Sequence, residues 1–234
     1  NVLIEDYTGT WCGYCPRVSH AIELTKDQTG QVAVIAVHDD NEFYCNEVGL
    51  LKSAFGVNSF PTAKVDRDAD WTFPEPSNID QVVDKTLCDN ATVGLALAPT
   101  LNGNDMNVNV KVKFGPDFDF DNTKLVVMLL EDGLIADQVN YTSYYGGGDV
   151  ISNFQHDHVL RSSLTNVTGD AIMNSDITDS VYSRVFSVPV PSNVTDSSNI
   201  SIVAFITSDD FLGSSYTVNS RVAYFGEAQD FQEN

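Results

Sequence analysis

Positive charge is what this sequence most lacks. Its 234 residues include only 12 lysines and arginines against 33 aspartates and glutamates, a formal net charge of -21. A surface that negative repels phosphate backbones, which excludes nucleic acid as a partner. It also lacks any run approaching the roughly 18 apolar residues of a membrane-spanning helix. Four cysteines are too few for a disulfide-built scaffold of this length. No fixed-period repeat is present, and Gly146-Gly147-Gly148 cannot cradle phosphate because it neither follows a clear strand nor opens a helix. What is present is an ordinary packing inventory, 42% hydrophobic and 10% aromatic, enough for folded cores. The chain opens on Val2-Leu3-Ile4, a strand already in progress, so a leader and an earlier strand are expected upstream.

Two textures meet near residue 92. Up to that point strands and helices alternate. Val2 to Tyr7, the continuous apolar run Val32 to Val37, and Thr62 to Val65 read as strands. Helices are expected over 12–29, over 44–55 with Gly56 as its C-cap, and from a Ser77-Asn78 cap to Leu87. From Val93 the chain is all-β. Val93–Leu101, Met106–Phe114, Lys124–Glu131, Leu134–Tyr141, Val181–Val190, Ile200–Thr207 and Tyr216–Phe225 are divided by Asn/Asp/Gly/Ser turns. We therefore expect an α/β domain over 1–92 and a β-sandwich over 93–234, immunoglobulin-like or jelly-roll-like.

The chemistry concentrates in Trp11-Cys12-Gly13-Tyr14-Cys15-Pro16. A CxxC alone can be half a zinc site, but Cys45 and Cys88 do not form a second ligand pair. Here it follows an apolar strand and opens a helix, whose unpaired N–H groups and dipole favour a thiolate. Cys12 is then the nucleophile and Cys15, one turn on, the resolving thiol, exchanging disulfides with protein thiols. Pro16 is tolerated because the first turn does not need its N–H.

The stretch Leu3-Ile4-Glu5-Asp6-Tyr7-Thr8-Gly9-Thr10-Trp11-Cys12-Gly13-Tyr14-Cys15 resembles the strand and active-site loop of thioredoxins without a gap, and Gly56-Val57-Asn58-Ser59-Phe60-Pro61-Thr62 resembles the loop that carries their cis-proline. The resemblance implies that Asp6 is the buried acid relaying the proton of Cys15. It implies that Pro61 is cis and packs against the CxxC, that the Phe60 backbone pairs with an extended substrate, and that Trp11, Gly13 and Tyr14 border the partner. Gly13-Tyr14 is neither the Gly-Pro of reducing thioredoxins nor the Pro-His of strong oxidants, and Pro16 replaces the usual lysine, with Arg17 as a partial substitute. Reductase, oxidase and isomerase all remain open.

More narrowly, the N-terminal segment with its all-β tail, including Leu129-Leu130-Glu131-Asp132-Gly133 and His156-Asp157-His158-Val159-Leu160-Arg161, is similar to the twenty-eight-kilodalton outer-membrane proteins of Bacteroidetes. That likeness implies an exported chain at the periplasm or outer-membrane surface, with a lipid anchor upstream of Asn1. Such a setting suits a second disulfide between Cys45 and Cys88, against two separate thiols. No metal or cofactor is expected at the CxxC. Calcium at Asp66-Arg67-Asp68-Ala69-Asp70 or Asp117-Phe118-Asp119-Phe120-Asp121 lacks the glycine and terminal glutamate of an EF-hand. His156 and His158, if on one strand, would share a face. The alternative to an oxidoreductase is a surface binding or adhesion protein using Tyr141, Tyr144 and Tyr145 beside the triple glycine.

Overall fold

The computed structural model describes residues 1–87, 92–116, 118, 122–209 and 215–231. The apolar run at the N-terminus forms β1 (Val2–Thr8), and Pro16–Gln28 forms α1. They are followed by β2 (Val32–His38), α2 (Glu47–Ala54), β3 (Thr62–Val65), the short β4 (Ala69–Asp70) and α3 (Asp80–Thr86). The tail adds β5 (Val93–Asn102), β6 (Asp105–Phe114), β7 (Lys124–Glu131), β8 (Leu134–Val139), β9 (Val150–His156) and β10 (Val159–Ser163). It continues with β11 (Asp170–Ala171), β12 (Ile177–Thr178), β13 (Val181–Pro189), β14 (Ile200–Asp209) and β15 (Ser215–Tyr224). The result is a mostly β protein of several sheets with three α-helices among the described residues.

The change of texture at residue 92 is not a break in the sheet. A nine-stranded sheet runs β15-β14-β7-β10-β2-β1-β3-β4, with β11 also paired to β7. β10 makes the join, antiparallel to β7 and touching β2 in parallel where Val159 meets Ala36. A four-stranded sheet, β12-β13-β6-β5, faces the β7, β14 and β15 end. Between them lie Leu95, Leu97, Val108, Val110, Leu125, Val127, Ile202 and Ala204, all fully buried. The opposite faces of β7 and β14 carry Val126, Met128, Val203 and Phe205, which join Leu3, Tyr7, Ile35 and Leu51 in a second core. Both faces of β7 are thus covered, which is why it reads as an unbroken apolar run. β8 and β9 pair only with each other and form an arm, residues 134–156, between the halves.

β1 and β2 divide their side chains by parity. Val2, Ile4 and Val34 meet α1 through Val18, Ala21 and Ile22, and α3 through Val82. Leu3, Tyr7, Ala33 and Ile35 meet α2 through Val48 and Leu51, with Cys45 beside them. Glu5 is fully buried on that second face, where Arg67 grips it through Nε and Nη2, the latter at 2.7 Å. The Arg67 guanidinium also donates to the Val167 carbonyl at 2.8 Å and lies 4.4 Å from the Phe55 ring centre and 4.6 Å from that of Phe205. One buried cation thereby ties β1, the end of α2 and the tail.

Several expectations change. The helix expected from residue 12 starts at Pro16, because residues 12–15 form the turn that carries the cysteines. Gly56 does end α2, at φ 64°. The closing helix is only Asp80–Thr86 and has no side-chain cap: its N-cap position falls on Ile79, and Asn78 Nδ2 donates to the Pro74 carbonyl. Cys45, expected to bridge to Cys88, is a free, buried thiol on the α2 face. Cys88 itself lies outside the described residues. Burial, with the Glu47 charge, pushes the Cys45 thiol up to about 12, which makes it a poor nucleophile.

Candidate redox site

Cys12 and Cys15 are joined as a disulfide across the turn before α1, their Cα atoms 5.4 Å apart. Cys15 supplies the carbonyl that opens the helix, accepting from Val18 N at 2.9 Å and Ser19 N at 3.3 Å. Both cysteines are covered, Cys12 at 4% exposure and Cys15 at 1%, while Trp11 and Tyr14 stand out at 52% and 55%. The Phe60–Pro61 bond is cis. The Phe60 ring meets the edge of Trp11 at 5.5 Å between centres, which brings the proline loop beside the cysteine turn. Trp11 is held from the other side by its indole N–H, which donates to the Asp39 carbonyl at 2.7 Å.

The tail completes this site, which sequence reasoning missed. At the end of β8 and just beyond it the arm runs alongside the cysteine turn. Val139 N donates to the Thr10 carbonyl at 2.8 Å and Tyr141 N to the Gly13 carbonyl at 2.6 Å. Gln138 Nε2 reaches the Cys12 carbonyl at 3.0 Å. The Tyr141 ring lies on Gly13 so closely that a Cβ there would come within 2.2 Å of it, which is the physical reason for glycine between the cysteines. Tyr14 then packs edge-on against Tyr141. Tyr144 and Tyr145 fold down onto His20 of α1, so of the three tyrosines only Tyr141 is largely exposed.

Asp6 points from β1 to the α1 side, on the same face as Ile4, and is 3% exposed. Its Oδ1 has no hydrogen-bond partner. Burial, with the neighbouring Glu75 charge and against the opposing pull of Arg17, raises its pKa to about 8. Arg17 does not replace the missing lysine freely, because its guanidinium is committed to Glu75 at 2.5 and 3.2 Å and lies over Phe73. Beside Asp6 is a cavity of about 100 Å³. Its floor is Asp6, Val34, Ala36 and His38, with α1 on one side and Phe154 to His158 on the other.

His156 and His158 do not form a metal-binding pair. β9 ends at His156, and His158 takes a left-handed φ of 60°. His158 turns to Asp132 at 3.1 Å and Lys26 at 3.0 Å, while His156 is buried against His38, Phe43 and Phe154. Among the described residues no three His, Cys, Asp or Glu side chains converge as metal ligands. Asp66 accepts from Leu3 N at 2.8 Å and pairs with Lys85, and Asp70 pairs with Lys64, so two of that loop's three acids are already engaged. Asp117, Asp119 and Asp121 lie outside the described residues.

Fold and site together define a mostly β protein of several sheets with a CxxC disulfide at a helix start, beside a cis-proline loop. The chain belongs to the outer membrane protein Omp28 family, whose model matches residues 50–223. That stretch begins beyond Cys12 and Cys15, so membership itself says nothing of their chemistry. It does accord with the exported, outer-membrane-associated location expected from the sequence. No helix among the described residues is long and apolar enough to cross a membrane. In structure the chain is similar to HBP35 of Porphyromonas gingivalis, with a TM-score of 0.77 at 21% identity, covering 98% of this chain and 76% of that one. It is also similar to an Agrobacterium tumefaciens protein, with a TM-score of 0.57 at 13% identity, covering 100% and 97%. Both likenesses concern the fold alone. No curated protein matches the sequence significantly.

Proposed function

We propose that this chain is a cell-envelope thiol–disulfide oxidoreductase, built on a thioredoxin-like unit over 1–92 with a β-sandwich behind it, and that protein thiols and disulfides are its partners. The observation that carries the reading is the Cys12–Cys15 disulfide at the start of α1 with an unpartnered, buried Asp6 on the strand beneath that helix. In the reducing direction the Cys12 thiolate attacks a partner disulfide, forming a mixed disulfide and releasing one partner thiolate. Asp6 takes the proton of Cys15, whose sulfur then attacks Cys12 Sγ and expels the second partner thiolate. The partner gains two electrons and the CxxC loses two. The reverse sequence oxidises a dithiol. Trp11, Tyr14 and Phe60 surround the approach to Cys12. Because Cys12 is only 4% exposed, a partner must displace covering groups to reach it.

The test is disulfide exchange with a glutathione redox buffer and a model protein disulfide, for wild type and Cys12→Ser. Catalysis by wild type that disappears in the variant is expected, and the equilibrium with glutathione gives the potential and hence the direction. A disulfide that glutathione cannot reduce in the folded protein, or a variant as active as wild type, sinks the proposal.

A further inference from the structure

The cavity beside Asp6 is shared with a second buried group that the exchange steps above do not use. His156, at the end of β9 in the tail, is 5% exposed and lines the same cavity. One of its ring nitrogens is engaged with the Ala136 backbone on the paired strand, while Nε2 has no partner. The neutral tautomer that accords with both carries its proton on Nδ1. A neutral imidazole donating from Nδ1 presents Nε2 as an acceptor only. The ring does stay neutral, because burial and the adjacent His38 lower its pKa to about 4. Across the cavity, Asp6 has the complementary need. Protonated, it is a donor with nothing on the protein to receive it.

Buried polar atoms without protein partners are satisfied by ordered water where the space is polar and large enough. A cavity of about 100 Å³ between a carboxyl group and an imidazole meets both conditions. We propose that His156 is a positioning residue for the redox site, its Nε2 accepting, through cavity water, the hydrogen bond of protonated Asp6 and so holding the proton that Cys15 gives up. The role rests on the redox reading for its purpose, but the contact it requires does not. Other charged and titratable groups face Asp6 from every side. They are Arg17, Glu23 and Lys26 of α1, Glu75 of the 75–77 turn, His38 of β2, Tyr145 of the 144–146 turn, and Asp157 and His158 beyond β9. Their contributions are common to the variants below, which change His156 alone.

The experiment is a carboxyl-carbon NMR titration of the intact protein, with the Asp6 signal assigned by its loss in Asp6→Asn. His156→Leu keeps an apolar bulk that suits Phe43 and Phe154 but offers no acceptor. His156→Gln restores an acceptor near the Nε2 position. Removing the acceptor destabilises the protonated acid, so the Asp6 midpoint in His156→Leu is expected to fall by about one pH unit or more, and His156→Gln to recover most of it. The pH profile of disulfide exchange should move in the same direction. If leucine disturbs folding, His156→Met makes the same comparison with an unbranched chain. A folded His156→Leu or His156→Met protein with an unmoved Asp6 midpoint overturns the proposal. So does a His156→Gln midpoint that falls as far as the apolar variant's. The titration needs no redox partner, so a wild type without exchange activity would sink the oxidoreductase reading and leave this result standing.

Discussion

Asp6 concentrates the energetic cost of this site in one residue. In the unfolded chain it titrates as an ordinary aspartate near 3.8, whereas in the folded protein burial and Glu75 hold it protonated up to about pH 8. The folded state therefore binds more protons than the unfolded state through that interval, and its stability from this group falls as pH rises from about 4 to about 8. Asp6→Asn removes the ionisation while keeping the shape. Its stability advantage over wild type should be smallest near pH 4 and grow towards pH 8, on the order of a few kcal/mol at the upper end. Urea unfolding of both proteins at pH 4, 6 and 8 measures it, and a difference that does not change with pH would show that Asp6 is ionised in the folded state. The same variant should slow disulfide exchange, the pattern of a functional group kept at a cost in stability. That Asp6 is a buried acid was what the resemblance to thioredoxins implied, and its burial accords with it. Its companions were not legible, because Glu75 and His156 stand 69 and 150 residues further on and reach it only through the fold.

The arm formed by β8 and β9 is the element that sequence patterns hid. Leu134–Val139 was visible as a strand, but Val150–His156 mixes polar and apolar residues without clean alternation, since the arm pairs only with itself and leans one edge on the cysteine turn. Val159–Ser163 was obscured because it is only five residues long and ends in Arg161-Ser162-Ser163, yet it is the strand that joins the two halves of the sheet. The strands with both faces buried were legible because burial forces an apolar run: Lys124–Glu131 matches in full, and the strand expected over Ile200–Thr207 runs on to Asp209. The arm's grip on the site can be measured at Gly13. A methyl group there collides with the Tyr141 ring, so Gly13→Ala should cost about 1–3 kcal/mol. In a Tyr141→Ala background, where the ring is gone, most of that cost should vanish. A double-mutant cycle by chemical denaturation reads the coupling directly. Additive effects would mean that the arm does not rest on the cysteine turn in solution.

At the scale of the whole molecule, the continuous sheet predicts how the chain comes apart. The textures before and after residue 92 suggest two independent units, but Val126, Met128, Leu160, Val203 and Phe205 from the tail share one core with Leu3, Tyr7, Ile35 and Leu51. Arg67 reinforces that union through its contacts to Glu5, Phe55, Val167 and Phe205. Separating the halves would expose the shared apolar core on both sides and take from the buried Arg67 guanidinium its Val167 carbonyl and its Phe205 ring. Neither half then has a low-energy way to unfold alone. The sequence provides a convenient check, because both tryptophans, Trp11 and Trp71, lie before residue 92 while most strand residues lie after it. Tryptophan fluorescence therefore follows the first part and far-ultraviolet circular dichroism chiefly the second. The two midpoints in guanidinium should coincide, with one cooperative transition. Two separated transitions would show that the β10 junction and the shared core do not couple the halves, and the cysteine turn would then depend on the arm alone for its contact with the tail.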